Sequence, residues 1–210
     1  MKHDPAVLHR AAEWAGNMLS LDQVDHLTSY ADWLVAEAIP ASAVGPEEGP
    51  RILDRHVADS LVFGAAWGDE PPSTLVDVGS GVGLPGIPLA IAHPVTTVTL
   101  LDRSQGRTDL AQRAVRILGL PNVDIVTEDV REHSSRYDAV TFRASLPARE
   151  AVEAARTLLE PAGIAVIGLH RGDRTPENPA EAGPGESLQV VKTPNGILDS
   201  TAWHLRMTVT

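Results

Sequence analysis

The segment from Leu75 to Gly86 reads Leu-Val-Asp-Val-Gly-Ser-Gly-Val-Gly-Leu-Pro-Gly, and it carries the clearest indication of the fold. Its first four residues form an apolar run that contains one acid, which predicts a short buried strand. Closely spaced glycines follow, and glycine permits both positive φ angles and the close approach of a ligand. Pro85 then suits the first turn of a helix, where its missing N–H has no intrahelical partner. The segment predicts a strand, a glycine loop and a helix N-terminus in series.

Two classes of ligand fit this glycine loop. Gly81, Gly83 and Gly86 satisfy the dinucleotide pattern G-x-G-x-x-G, and Asp102 lies near the distance expected for an acid that binds a ribose hydroxyl. Asp77 argues against a dinucleotide, because a buried carboxylate is costly unless paired and would repel a pyrophosphate. It would suit the ammonium and sulfonium groups of S-adenosylmethionine (SAM), and the pattern resembles the signature of class I SAM methyltransferases. An NAD-dependent enzyme and a plain glycine turn are the alternatives.

Composition limits the protein classes that fit. A length of 210 residues suits one α/β domain with an appendage. The absence of cysteine excludes disulfides, thiolate metal sites and a cysteine nucleophile, and no other cluster of metal ligands is evident. The formal net charge of −11 argues against a large polyanion as partner, although a local basic patch can lie on an acidic protein. No apolar run is long enough to span a membrane, so we expect a cytoplasmic protein.

The chain is expected to form one structural unit with two parts. Residues 1–70 should form an N-terminal helical cap, because amphipathic patterns and a Ser20–Gln23 capping box precede the first strand. Helices of this cap are predicted over 6–19, 20–39 and 51–63. Residues 71–210 should form the SAM-binding domain.

Strand and helix patterns alternate after residue 71. Strands are predicted over 75–78, 95–101, 123–127, 139–142, 164–169, 188–192 and 202–209, and helices over 84–92, 104–118 and 148–159. Such alternation predicts a parallel doubly wound sheet. The last two strands should instead form an antiparallel hairpin, after a long loop at 171–186. The fold class is therefore the Rossmann-like class I SAM methyltransferase, with a seven-stranded, mostly parallel sheet.

The ligand of such a sheet lies beyond the carboxyl ends of its strands. The glycine loop should face the methionine part of SAM, the end of the second strand the ribose, and the end of the third strand, Glu128 included, the adenine. An alternative role for Asp102 is to pair with the N-terminus of the helix that begins near Ser104. The predicted cofactor-binding residues are Asp77, Gly79, Ser80, Gly81, Gly83, Leu84, Asp102, Arg103, Asp129, Val130 and Arg143.

The segment Val76 to Ala90 is similar to motif I of the RsmG (GidB) family of 16S rRNA guanine-N7 methyltransferases. Its Leu-Pro-Gly-Ile-Pro continuation is more distinctive than the glycines. The resemblance extends to Arg-His-Val-Ala-Asp-Ser-Leu at 55–61, to Leu-Leu-Asp at 100–102 and to Asp-Ala-Val-Thr-Phe-Arg-Ala at 138–144, and it covers roughly 52–172. It implies SAM as cofactor and guanine N7 of 16S rRNA in the 30S subunit as methyl acceptor.

The resemblance also implies three catalytic residues, His56, Asp59 and Arg143. His56, Asp59 and Ser60 have helical spacing and would reach the cleft from the cap. Arg143 follows the fourth strand, where paired N–H donors could hold a phosphate or the guanine edge. The alternatives are a polar helix face, with Asp59 bonded to a basic neighbour, and a surface salt bridge for Arg143.

This chain departs from the family at several positions. The segment Ala41 to Pro50 lacks the Asn-Leu-Thr-Ala stretch that most members have. Asp129 stands where the third-strand motif has an arginine, and Arg171 is the match for a lysine near the end of the fifth strand. These differences, together with the acidic charge, leave two alternatives to rRNA methylation: methylation of a small-molecule acceptor, and a non-catalytic module that binds SAM or a nucleotide.

Overall fold

The computed structural model describes residues 4–68 and 70–210. Met1–His3 and Asp69, which belong to the predicted cap, lie outside the described residues. A seven-stranded sheet forms the centre of the fold, in the order β3-β2-β1-β4-β5-β7-β6. Its strands are β1 (Thr74–Val78), β2 (Thr97–Asp102), β3 (Val123–Thr127), β4 (Tyr137–Phe142), β5 (Leu159–Arg171), β6 (Glu186–Lys192) and β7 (Ala202–Val209). Strands β1 to β5 pair in parallel, whereas β7 runs antiparallel to both β5 and β6. The predicted fold class is confirmed, including the C-terminal hairpin.

Helices cover both faces of the sheet. They are α1 (Ala6–Trp14), α2 (Leu21–Trp33, continued by a π-turn over Leu34–Ala38), α3 (Asp59–Leu61), α4 (Gly86–Ala92), α5 (Gln105–Leu118) and α6 (Ala148–Leu158). The short α3 belongs to a longer helical run that begins with a 3₁₀ turn at Pro46–Arg51, passes through a π-helical segment at Leu53–Ala58 and ends with a 3₁₀ turn at Val62–Ala66. None of the helices in the described residues is long and apolar enough to cross a membrane.

The alternation of side chains along β1 separates two buried clusters. Leu75 packs with α4, α5 and the cap helices, whereas Val76 and Val78 pack with α6 on the other face. Asp77 shares the face of Leu75, because successive residues of a strand point to opposite sides. An acid therefore lies inside the larger apolar cluster, directly below the glycine loop.

The cap is anchored to the glycine loop by a buried hydroxyl. Tyr30 of α2 is fully buried, and its hydroxyl donates a hydrogen bond of 2.9 Å to the carbonyl of Val82. Gln23 of the capping box donates to the carbonyls of Ile91 and Ala92, at the end of α4. These bonds connect α2 to both the loop and the helix that follow β1.

Several element boundaries differ from the predicted ones for local reasons. Helix α4 begins at Gly86 instead of residue 84, because Leu84 still belongs to the loop, where its N–H donates to Ser80. Strand β2 begins at Thr97, since Val95 is 79% exposed and lies outside the ladder with β1. Strand β5 begins earlier than predicted, at Leu159, because it continues past an irregularity to pair with Tyr137.

Gly86 offers a test of how closely α4 packs on the sheet. A Cβ at this position would lie 2.2 Å from Cδ2 of Leu100 and 2.9 Å from a carboxylate oxygen of Asp77. We expect Gly86→Ala to lower the free energy of unfolding by about 1–3 kcal/mol, as overpacking typically does. Urea denaturation followed by circular dichroism would measure this change.

Gly106→Ala is the matched control, because Gly106 lies in the first turn of α5 and a Cβ there meets nothing within 4 Å in the described structure. The same substitution should be neutral there, or stabilising by up to about 1 kcal/mol through helix propensity. Equal destabilisation by both variants would contradict the packing described for α4.

Candidate active site

A cavity opens beyond the carboxyl ends of β1 to β4. Its volume is about 780 Å³, and segments that follow β1, β2, β3 and β4 contribute to its walls, together with one face of α6. Five of the predicted cofactor-binding residues lie in this lining: Gly79, Asp102, Arg103, Asp129 and Val130. Asp77 and Arg143, like the loop residues Ser80, Gly81, Gly83 and Leu84, do not line it.

The glycine loop reaches the cavity at its first residue, Gly79. Gly79 has φ of +69°, and a Cβ there would lie 2.3 Å from Cβ of Ser145 in the segment after β4. Gly81 has φ of +60°, but a Cβ there would meet no described atom within 4 Å. Gly79 is therefore required for packing between two loops, whereas Gly81 leaves open space in front of the backbone.

Asp77 holds the two ends of the loop segment together from below. Its side chain is completely buried, with one oxygen accepting a bond of 2.8 Å from the N–H of Gly86 and the other a bond of 3.1 Å from the Thr141 hydroxyl. Burial raises its pKa to about 7, although both hydrogen bonds oppose this shift. The carboxyl group thus has the partners that its burial requires, and it does not line the cavity.

Asp102 makes the contact considered as its alternative role, with the start of α5, and it also bonds the glycine loop. One carboxylate oxygen accepts the N–H of Gly81 at 2.9 Å, and the other accepts the N–H of Ser104 at 2.9 Å. It therefore fixes the glycine loop and also caps the start of α5, where Ser104 makes no side-chain cap of its own. Its carboxylate still forms part of the cavity wall.

The segment after β3 contributes an ion pair to the cavity. Arg131 binds Asp129 with two hydrogen bonds, from Nε at 2.9 Å and from Nη2 at 2.7 Å. Hydrogen bonding to Arg131 holds the pKa of Asp129 below its usual range. Val130 lies between them and also lines the cavity. The positive charge of Arg131 compensates the negative charge of Asp129, so the segment after β3 carries an ion pair with no net charge.

Two polar features of the cavity were missed by sequence reasoning. Nδ1 of His133 lies 2.7 Å from the Glu128 carboxylate, and its Nε2 lies 2.9 Å from the Tyr137 hydroxyl. The hydroxyl of Ser145 is buried and has no hydrogen-bond partner among the described residues. Neither feature belongs to a sequence motif, although the spacing of four residues between His133 and Tyr137 could have suggested that their side chains contact each other.

The three predicted catalytic residues form a cluster beside the cavity, outside its lining. Arg143 donates from Nε to Asp59 at 3.1 Å, and from Nη2 to the carbonyl of Arg55 and to Nδ1 of His56, each at 3.2 Å. The bond between Arg143 and Asp59 matches the alternative considered from the sequence, in which Asp59 bonds to a basic neighbour. Ser60 is not part of the polar cluster, because its hydroxyl donates to the backbone carbonyl of His56.

His56 is held as a neutral imidazole. Burial, followed by the charge of Arg143, lowers its pKa below the usual value. Because Nδ1 accepts from Arg143, Nε2 carries the proton and donates to Glu48 at 3.1 Å. Both nitrogens are thus engaged, so His56 has no free nitrogen to act as a base.

Arg171 also reaches this cluster from the end of β5. Its Nη1 donates to the second oxygen of Asp59 at 3.0 Å. The sequence pointed to Arg171 only as the match for a family lysine. Its contact with Asp59 joins residues 112 positions apart, which no local pattern could reveal.

Comparison with known proteins identifies a family match. The model of the family described as rRNA small subunit methyltransferase G (GidB) matches residues 23–187. Ribosomal RNA small subunit methyltransferase G of Roseiflexus castenholzii is 35% identical over 66% of this chain and 61% of its own length. The protein of the same name from Mycobacterium marinum is 35% identical over 72% of this chain and 67% of its own length. The chain thus spans about three fifths to two thirds of these relatives.

Solved structures agree on the fold. TrmN from Thermus thermophilus superposes with a TM-score of 0.54 over 75% of this chain and 53% of its own, at 18% identity. M. jannaschii TYW2, crystallised in complex with AdoMet, superposes with a TM-score of 0.52 over 73% of this chain and 74% of its own, at 14% identity. At these identities the likeness concerns the fold alone.

The raised pKa of Asp77 predicts a pH dependence of stability. The unfolded chain releases this proton near about pH 4, whereas the folded protein retains it up to a pKa of about 7. Between these values the folded state binds more protons, so this group destabilises the fold as pH rises. We expect the unfolding free energy of the unsubstituted protein, relative to Asp77→Asn, to fall by on the order of a few kcal/mol from about pH 4 to about pH 7. Urea denaturation across this range would measure it, and parallel pH profiles would contradict the assignment.

Proposed function

This chain belongs to the rRNA small subunit methyltransferase G (GidB) family, and we propose that it is a SAM-dependent methyltransferase. The methyl acceptor that we propose is guanine N7 of 16S rRNA. The observation that carries the proposal is the hydrogen bond from the Gly81 N–H to Asp102, an acid that lines a cavity of about 780 Å³. This arrangement holds an acid at the end of the second strand beside a loop with open space in front of it.

The residues of the cavity fit SAM. The open face of Gly81 leaves room for a ligand against the backbone, and the unpartnered Ser145 hydroxyl offers a hydrogen bond. Five carboxylates and three guanidinium groups line the cavity, which suits a ligand with a sulfonium and an ammonium: Asp102, Glu128, Asp129, Glu150 and Glu153 against Arg103, Arg107 and Arg131.

Each wall would hold one part of the cofactor. Gly79, Ser80, Gly81, Gly83 and Leu84 would hold the methionine part, Asp102 and Arg103 the ribose, and Asp129 and Val130 the adenine. Asp77 would act from below the loop, by fixing the backbone that contacts the ligand, since its carboxyl group is bonded to Gly86 and Thr141. Residues 71–210 would thus bind the cofactor, while the cap of residues 1–70 would supply His56 and Asp59.

The chemistry requires alignment more than proton transfer. When bound, SAM supplies an electrophilic methyl carbon on a sulfonium. Guanine N7 has a lone pair in the neutral base, so attack on that carbon needs no general base. The residues of the cluster would hold the acceptor close and in line. This role agrees with a neutral His56 whose two nitrogens are both engaged.

Arg143 is the residue of this cluster best suited to contact the acceptor. Its Nε and Nη2 are bound to the cap, but Nη1 donates to no acceptor within the described residues. Two N–H groups of a guanidinium anchored in this way could donate to a phosphate or to the guanine edge. Arg143 is therefore proposed as an acceptor-binding group, and not as a direct ligand of SAM.

A small-molecule acceptor is the second candidate, supported by the net charge of −11. Binding to a polyanion draws much of its free energy from cationic side chains that neutralise phosphates. In the active-site cluster, both Arg143 and Arg171 already pair with Asp59, which reduces the cationic field offered to RNA. The two candidates share the cofactor and differ only in the acceptor.

Gly81→Val should abolish SAM binding, because its side chain would occupy the open space in front of the loop. Gly119→Val is the matched control: Gly119 ends α5 with φ of +63°, close to the +60° of Gly81, and also faces open space. Calorimetry should show at least about tenfold weaker binding for Gly81→Val, equivalent to a loss of about 1.4 kcal/mol or more. Unchanged affinity in both variants would refute the assignment of the loop.

Transfer of labelled methyl groups from SAM would test the acceptor. We expect incorporation into 30S subunits or 16S rRNA from cells that lack the endogenous enzyme, and none into RNA already methylated at that N7. Arg143→Ala should retain SAM affinity and lower transfer by about 10- to 100-fold, which corresponds to a charge-assisted hydrogen bond of about 1.5–3 kcal/mol.

The other outcomes separate the remaining candidates. Binding of SAM without incorporation into any RNA would favour a small-molecule acceptor or a non-catalytic module. Retention of NAD without SAM binding would favour the dinucleotide alternative. A cofactor defect in Arg143→Ala would show that this side chain contacts SAM.

A further inference from the structure

We propose that Arg171 is a positioning residue that sets the direction of Arg143 through the carboxylate of Asp59. This inference rests on the proposed function, because it assumes that Arg143 contacts the methyl acceptor. It assigns to the end of β5 a role in acceptor binding that requires no contact between Arg171 and the acceptor.

The two arginines share one carboxylate. Oδ2 of Asp59 accepts from Nε of Arg143 at 3.1 Å, and Oδ1 accepts from Nη1 of Arg171 at 3.0 Å. Because both oxygens belong to one rigid plane, a guanidinium bound to one oxygen fixes where the other lies. The position of Arg171 therefore limits the rotation of Asp59, and Asp59 in turn limits Arg143.

Arg171 is itself held on every nitrogen. Nε donates to the Ser200 hydroxyl at 3.2 Å, and Nη2 donates to the Ser200 carbonyl at 3.1 Å and to the carboxylate of Asp199. Its side chain is only 15% exposed. Every nitrogen of the Arg171 guanidinium donates to a protein acceptor, whereas Nη1 of Arg143 donates to no acceptor among the described residues. This difference assigns the positioning role to Arg171 and the binding role to Arg143.

The anchor of Arg171 is fixed to the cap by a second contact. The backbone N–H of Asp199 donates to the carboxylate of Asp54 at 3.1 Å. Asp54 and Asp59 lie five residues apart in the same helical run of the cap. Three segments thus meet at Arg171: the loop between β6 and β7, the end of β5 and the cap. Their packing fixes the position of Arg171, and through Asp59 the direction of Arg143.

A double-mutant cycle would test the proposal. Arg171→Ala should lower the kcat/KM for the acceptor by about tenfold and leave SAM affinity unchanged. In an Arg143→Ala background the same substitution should change kcat/KM by less than about twofold, because a residue that acts only through Arg143 has nothing left to position. Equal losses in both backgrounds would overturn the proposal.

Arg113→Ala is the control for removing a paired arginine. Arg113 of α5 donates to Glu37 of the cap at 2.6 Å, and neither residue belongs to the cluster or lines the cavity. Methyl transfer should be unchanged in this variant. Arg171→Lys should recover only part of the activity, because one ammonium cannot reproduce the set of bonds to Asp59, Asp199 and Ser200. Full recovery would show that a positive charge alone suffices.

Hydrogen exchange at Nε of Arg143, measured by NMR, separates this inference from the proposed function. If exchange is faster in Arg171→Ala but the unsubstituted protein transfers no methyl group, the proposed function is refuted while the positioning contact stands. Unchanged exchange in an active protein would refute the positioning role. If Arg171→Ala does not fold, Asp199→Ala provides the same measurements, since it removes an anchor of Arg171 and leaves Asp59 in place.

Discussion

The hydrogen bond from the Gly86 N–H to the buried carboxyl of Asp77 is the constraint on which the rest of the site depends. It closes the segment between β1 and α4, so that the intervening glycine loop has fixed ends. A second bond, from Thr141, ties the same carboxyl to β4, the other neighbour of β1 in the sheet. Without these partners the burial of an acid would be strongly unfavourable, and with them it determines where α4 starts. The raised pKa of Asp77 shows that the two hydrogen bonds offset only part of the cost of burying the carboxyl group.

The cavity follows from a similar contact one strand away. Asp102 accepts the N–H of Gly81 and also caps α5, so the loop after β1 and the helix after β2 share a single acid. From the other side, Tyr30 binds the Val82 carbonyl and couples the same loop to the cap. Fixed polar groups that surround an open backbone suit a ligand that must be aligned, because their orientation is established before binding. The glycine loop is therefore held by Asp77, Asp102 and Tyr30, while Gly81 keeps open space in front of its backbone.

The cluster around Asp59 is built differently, because its charged groups share partners. Asp59 divides its carboxylate between Arg143 and Arg171, and His56 accepts from Arg143 while it donates to Glu48. Charged groups that are buried in this way are stable only as a network, since the removal of one member leaves another unpaired. Such a network holds the guanidinium and imidazole groups in fixed orientations, but it leaves little uncompensated positive charge for a ligand. A chain with a net charge of −11 therefore gains little positive potential from this cluster.

The order of strands and helices, the glycine loop and the C-terminal hairpin could be predicted from sequence patterns, because periodicity, glycine and proline act over a few residues. The sequence also selected Asp77, Asp102 and Arg143, each of which lies at a strand or at its carboxyl end. The contacts of these side chains become visible only in the folded protein. Asp77 lies below the loop, Asp102 serves two elements at once, and Arg143 turns toward the cap instead of the cavity. The link between Arg171 and Asp59 spans 112 positions. Such contacts depend on how the sheet brings distant strand ends together, which no local pattern encodes.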